Sequence, residues 1–342
     1  MKAALFYGKE DLRISMIDMP KIADDEILIK IRGSGVCGTD VHIFFGDEGT
    51  SDCKRPVVPG HEYAGEVVEV GNKVCGVSIG DRVAVDPNDN CGYCDSCVRG
   101  SFNYCENLRD YGATEDGGFA QYGKARAKQV YKLADHISYY EGALAEPVSC
   151  CLHGVDLCGN LQGEAVLLIG GGPIGLIMLQ LVLNAGAGFV GMITRSREKQ
   201  EKALALGADY VSAPKDSDAI KKDLRQKGVL RIAAVIECVG SAETFQNAIA
   251  LADNESTVMM FGLAGSDEVA GIKPFEIFKK ELHITSCFMN PGTMGRAVQL
   301  INNNRLDLKA VLSPPQPLEK LEDIIRDPSM RLYGKVVIDP WL

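Results

Sequence analysis

In the first 150 residues apolar and polar positions alternate over short stretches, and a period of two predicts strands. Residues 26–32 (EILIKIR), 66–70 and 82–86 are such stretches, set between turn-forming residues. This part reads as an irregular all-β domain. Near Cys150 the pattern changes. Apolar runs at 166–169, 189–194, 233–237 and 257–261 alternate with helical stretches at 174–184, 198–206 and 242–251, and Gly207 stops the second of these. Strand and helix in alternation predict an α/β architecture with a doubly wound parallel sheet. After about residue 275 the regularity fades, and 335–338 reads as a last strand that can return to the first domain. There is no internal repeat and no low-complexity tract.

Length and charge narrow the picture. The chain has 342 residues, room for about two domains. Hydrophobic residues make up 46% of it, enough for a large core. The formal charge of −10 repels phosphate backbones, so no nucleic-acid partner is expected. The stretch 165–183 carries no charged residue and could be mistaken for a membrane span. Gly170, Gly171, Gly172, Pro173 and Gly175 break a helix near its start, so it is read as strand, turn and helix, with no membrane contact. The only early apolar run, 3–6, is too short for a signal peptide. Twelve cysteines without such a signal read as thiols and metal ligands in a cytoplasmic protein.

Four of those cysteines lie close together. Cys91, Cys94, Cys97 and Cys105 have the spacing C-x2-C-x2-C-x7-C, which can close four thiolates around zinc. Such a site has no open position, so it is structural. An iron–sulfur cluster uses similar spacings and stays open as an alternative. A second set is looser. Cys37 lies in GVCGTD and His61 and Glu62 in PGHEYAG. One Cys, one His and one carboxylate form a catalytic zinc set with a fourth position free. Each alone is weak evidence, since a lone Cys or His is more often a packed side chain. Most of the remaining seven cysteines are expected to be small buried apolar residues.

These motifs together resemble the zinc-dependent medium-chain alcohol dehydrogenases, in particular their sorbitol and polyol branch. Gly60-His61-Glu62-x-x-Gly65, continuing to Gly71 and Val74, fits that family's zinc signature. Cys37-Gly38-Thr39-Asp40, Gly80-Asp81-Arg82-Val83, the four-cysteine lobe, Asp116-Gly117-Gly118-Phe119-Ala120 and Ala145-Glu146-Pro147 follow in the expected order. The resemblance covers essentially the whole chain. It implies that Cys37 and His61 bind a catalytic zinc, with Glu62 as a third ligand or a supporting carboxylate. Glu146 matches a position that supplies a carboxylate ligand in relatives. It implies that Thr39 takes the substrate proton and His42 passes it on. It further implies a GroES-like β domain over 1–149 and 275–342, a Rossmann domain over 150–274, and a homodimer or homotetramer.

The cofactor motif is Gly170-Gly171-Gly172-Pro173-Ile174-Gly175, after an apolar strand and at the start of a helix. In that context G-x-G-x-x-G is a strong dinucleotide signal. Gly170 makes the turn, Gly172 admits the pyrophosphate, and Gly175 lets helix and strand approach, while the helix start favours the anion. Cys238, at the end of the strand 233–237, is placed with this cofactor set. An NAD enzyme would carry an acid at the end of the second strand. This chain has Thr194, Arg195 and Ser196 there, which favours the 2′-phosphate of NADP(H) over NAD(H). The plainer reading is that Arg195 and Arg197 merely open a solvated helix.

The expectation is therefore an oxidoreductase with one catalytic and one structural zinc. It exchanges a hydride between NADP(H) and a secondary alcohol, a polyol or sugar alcohol that is free or phosphorylated. An L-threonine dehydrogenase-like enzyme is the alternative, since Cys37-Gly38-Thr39-Asp40-Val41-His42 resembles that branch too. A zinc-ribbon protein that binds a dinucleotide without turnover is a distant third.

Overall fold

The computed structural model describes residues 1–46 and 53–342. It divides into two compact units: Met1–Ser149 with Asn290–Leu342, and Cys150–Met289. Among the described residues no helix is long and apolar enough to cross a membrane.

The first unit is organised around the strand Glu26–Gly35. Its alternation buries Ile27, Ile29 and Ile31 completely. Each such side chain contributes about 1.5–3 kcal/mol of burial free energy. This strand pairs antiparallel with Glu62–Val70, Tyr122–Arg126 and Val337–Asp339. Arg82–Val85 joins on the far side of Glu62–Val70. Gly65 lies where a Cβ would come 2.2 Å from the Lys30 carbonyl oxygen, so only glycine lets the two backbones approach. The strand expected at 66–70 is longer than its alternation suggested. It begins at Glu62 because residues 62–65 are buried on both faces and show no period of two.

The second unit is a six-stranded, all-parallel sheet. Its order is Tyr210–Ser212, Phe189–Ile193, Ala165–Ile169, Ala234–Glu237, Thr257–Met260, His283–Ser286. This is the doubly wound Rossmann order, with the strand direction of travel reversing between Ala165–Ile169 and Ala234–Glu237. The expected return to the first unit at 275 needs correcting. Residues 275–289 belong to the second unit, because His283–Ser286 pairs with Thr257–Met260. The chain crosses back only at Asn290, and Val337–Asp339 then pairs with Glu26–Gly35.

Candidate functional site

Register brings three chain segments to one point of the first unit. Gly35 lies opposite Glu62, and Val337 lies opposite Gly35. Cys37 follows the first strand by two residues, His61 immediately precedes the second, and Lys335 precedes the third by two. Gly60, at φ 94°, makes the turn that delivers His61. Cys37 caps the helix Gly38–Phe45, its amide donating to Asp40 Oδ2 at 2.8 Å.

Cys37, His61 and Glu62 offer ligand atoms that all lie within 4.8 Å of one another. Asp40 Oδ1 stands 3.7 Å from His61 Nδ1 and can orient the ring. Glu62 is buried. Its Oε1 accepts from Lys335 Nζ at 2.5 Å, while its Oε2 is buried with no hydrogen-bond partner. A Cβ at Gly35 would come 2.1 Å from that free oxygen, so glycine there makes room for the carboxylate. Burial works against a charged His61, yet Cys37, Asp40 and Glu146 outweigh it and hold its pKa well above the usual histidine value. Burial likewise opposes the Lys335 ammonium, and Glu62 and Cys37 overcome it. The cluster is short of positive charge and keeps one carboxylate oxygen idle. Its donor set fits a zinc ion.

Glu146 lies outside this ligand set, although its charge is felt by both His61 and Lys335. Thr39 and His42 lie three residues apart on the Gly38–Phe45 helix and so share a face, with Thr39 Oγ1 3.6 Å from Cys37 Sγ. Lys335 carried no motif and was not foreseen. A lysine beside the apolar run 336–338 was the signal for it.

The four-cysteine lobe closes on itself. Sγ–Sγ distances are 3.9 Å for Cys91–Cys97 and 4.0 Å for Cys94–Cys105. Four sulfurs at zinc–thiolate distance would sit about 3.8 Å apart, so the set fits tetrahedral zinc. The Cys94 amide donates to Cys91 Sγ at 3.4 Å and the Cys91 amide to Cys105 Sγ at 3.3 Å. Burial raises the Cys91 pKa, but amide donors of Tyr93 and Cys94 outweigh it and lower it to about 6. Amide donors thus favour the Cys91 thiolate, whereas burial pushes the Cys97 thiol up to about 12.

In the second unit, Gly170 has φ 108° and forms the turn after its strand. A Cβ at Gly175 would come 1.9 Å from the Gly170 carbonyl oxygen, so helix and turn are in contact. Gly172 caps the helix Pro173–Asn184, and a Cβ there would meet nothing within 4 Å. Ile174 follows Pro173 in the first turn. Open backbone at a helix start is what a pyrophosphate requires. Thr194 is buried, its side chain against Gly171. Ser196 caps the next helix by accepting from the Lys199 amide. Arg195 is exposed, whereas Arg197 pairs with Glu201. The three residues expected to meet a 2′-phosphate thus differ in access, and Arg195 is the freest. Cys238 follows the strand Ala234–Glu237, its amide bonded to the Ile169 carbonyl, and burial pushes its thiol up.

Comparison with known proteins agrees with this geometry. Residues 23–135 match the alcohol dehydrogenase GroES-like domain, and residues 173–303 match the zinc-binding dehydrogenase domain. D-arabinitol dehydrogenase 1 of Uromyces fabae is 31% identical, over 98% of this chain and 97% of its own. L-threonine 3-dehydrogenase of Pyrococcus abyssi is 34% identical, over 77% and 75%. A solved structure from Sinorhizobium meliloti 1021, described as a zinc-binding dehydrogenase bound to NADP, superposes with a TM-score of 0.91 at 34% identity, over 99% of each chain. The chain belongs to the zinc-dependent medium-chain alcohol dehydrogenases, in their polyol dehydrogenase branch, and is an enzyme of that kind.

Proposed function

We propose that the protein oxidises a secondary hydroxyl of a polyol or sugar alcohol, free or phosphorylated, with NADP(H) as hydride partner. The observation that carries this reading is the Cys37–His61–Glu62 cluster, its ligand atoms within 4.8 Å of one another and one carboxylate oxygen free. A zinc ion bound there supplies Lewis acidity that eases deprotonation of an alcohol. Thr39 Oγ1 would accept the substrate's hydroxyl proton while giving up its own, and His42, on the same helix face, would pass a proton to solvent by way of the cofactor ribose. Asp40, 3.7 Å from the ring, acts on His61 by charge, and Lys335 holds one oxygen of Glu62. The four cysteines hold a second zinc with a structural role. Gly172 and the helix start after it receive the pyrophosphate.

The NADP(H) preference rests on Thr194 and Arg195 standing where an acid would hold the ribose of NAD. The Sinorhizobium relative was solved with NADP, in keeping with it. A homodimer or homotetramer in the cytoplasm completes the proposal. The Pyrococcus relative supports a second reading, oxidation of L-threonine.

Initial rates on a panel of polyols, polyol phosphates and L-threonine, each with NADP and NAD, test these readings together. Turnover of polyols with higher kcat/KM for NADP is expected. Threonine turnover without polyol activity would reverse the order of substrates. For the cofactor, Thr194→Asp with Arg195→Leu should shift the kcat/KM ratio toward NAD by at least about tenfold, the effect of roughly 1.4 kcal/mol. A ratio that stays put would dismiss the strand end as its determinant.

A further inference from the structure

Glu237 ends the fourth strand in sheet order of the second unit and is 2% exposed. A buried carboxylate is costly unless it is well bonded. Its donors here are the amides of the loop that follows it. Val239 N–H donates to Oε1 at 2.7 Å, and Gly240 N–H donates to Oε1 and Oε2, each at 3.1 Å. Among the described residues no salt bridge reaches it. The same residue's carbonyl accepts from the Phe261 and Gly262 amides at 2.9 Å. One residue thus ties its own loop to the loop after the next strand.

The tied loops are tightly fitted. A Cβ on Gly262 would come 2.1 Å from the Gly240 amide nitrogen, and one on Gly240 would come 2.3 Å from the Leu263 carbonyl oxygen. Across the reversal point of the sheet, a Cβ on Gly170 would come 2.8 Å from Val239 Cγ2. Val239 therefore stands over the glycine turn of the dinucleotide motif, with 47% of its surface exposed. Ligands of doubly wound sheets lie at the carboxyl ends of the strands beside this reversal. A loop free to shift would move Val239 from its seat against Gly170 and change the floor of the turn.

We propose that Glu237 is a positioning residue of the dinucleotide site: its buried carboxylate locks residues 238–240 and so holds Val239 seated against the glycine turn, where the missing Cβ of Gly170 makes room for it. The carboxylate also occupies the Val239 and Gly240 amides. That leaves the helix start at Gly172 as the amide cluster open to a pyrophosphate. Because Glu237 acts through the backbone, its effect is the same for both nicotinamide dinucleotides.

This inference rests on the dinucleotide reading of the second unit. The test is titration of NADPH and NADH by calorimetry into the full-length, zinc-loaded protein, unmodified and as Glu237→Ala and Glu237→Gln. Alanine leaves two amides without an acceptor, and roughly ten- to hundredfold weaker binding of both cofactors is expected, with zinc content unchanged. Glutamine keeps one oxygen that can accept from both amides, so its loss falls between alanine and the unmodified protein. If Glu237→Ala does not fold, Glu237→Gln decides, with weaker binding of both cofactors expected. Affinity equal to that of the unmodified protein in the folded variants overturns the role of Glu237 alone. A melting temperature that falls while affinity holds does the same. Absence of cofactor binding in the unmodified protein overturns the dinucleotide reading and this inference together.

Discussion

One side chain beside the Cys37 cluster is tied into the core without being among the candidate metal ligands. Lys335 and Glu62 are 6% and 1% exposed, and they form an ion pair 273 residues apart in sequence. Removing one partner of such a pair leaves an uncompensated buried charge and costs about 3–5 kcal/mol. Lys335→Met should therefore lower the free energy of urea unfolding by that amount. Glu62→Gln added to it should restore part of the loss, since the stranded charge is then gone. A single-variant loss below about 1 kcal/mol would show that the pair is solvated in solution. Asp86 offers a pH-dependent counterpart. Burial pushes its carboxyl up to about 6, against hydrogen bonds from the Asn88 amide and the Asn290 side chain. An acid with a raised native pKa is protonated more readily folded than unfolded. Its penalty is absent below about pH 4, builds up between 4 and 6, and is constant above that. Asp86→Asn keeps the accepting oxygen. It should stabilise the protein at pH 7.5, by no more than about 3 kcal/mol, and leave it unchanged at pH 4. Equal effects at both pH values would contradict this sign.

At the scale of elements, what could be read in advance depended on where the information is stored. The strands at 165–169 and 189–193, and 234–237 up to its terminal Glu237, are mostly covered on both faces, so each shows itself as a run without alternation. His283–Ser286 is a partly exposed edge strand with no such run, and the second unit was drawn too short for that reason. The four-cysteine lobe was legible because its chemistry is local: fifteen consecutive residues hold all four sulfurs. The Cys37 cluster was legible only as fragments. The pairing of Gly35 with Glu62 and Val337 joins them, and register between distant strands leaves little trace in one sequence. Lys335 and the accommodating Gly35 were missed on that account. The lobe also carries its own prediction. Cys105→Ser leaves three sulfurs, so a metal held there contributes much less to folding. Zinc content should fall from about two to about one per chain and the melting temperature should drop, while kcat per remaining active chain changes little. Unchanged zinc content and melting temperature would remove the metal from the lobe.

For the whole molecule, the proposed function gives the two units separable parts of the chemistry. Both candidate metal sites lie within residues 1–149, and the glycine turn lies within 150–289, on its own sheet and its own apolar core. The formal charge of −10 gives no general attraction for an anionic cofactor, so the proposed function assigns its binding to local donors at the helix after Gly172. Those donors are backbone amides of the second unit and owe nothing to zinc. The metal sites differ from each other as well. A zinc held by the Cys37 set would keep an open position for a chelator to enter, whereas one held by four thiolates would leave none. Dialysis against a chelator at neutral pH should therefore act in two stages. In the first, about one zinc per chain is lost, turnover disappears, and the melting temperature and NADPH affinity hold. In the second, reached only under harsher conditions, the remaining zinc leaves and the melting temperature falls, because a closed site contributes to folding itself. Metal analysis, calorimetric melting and NADPH titration on the same samples follow all three quantities. Simultaneous loss of both metals, or loss of NADPH binding with the first zinc, would show that the two units do not divide the work in this way.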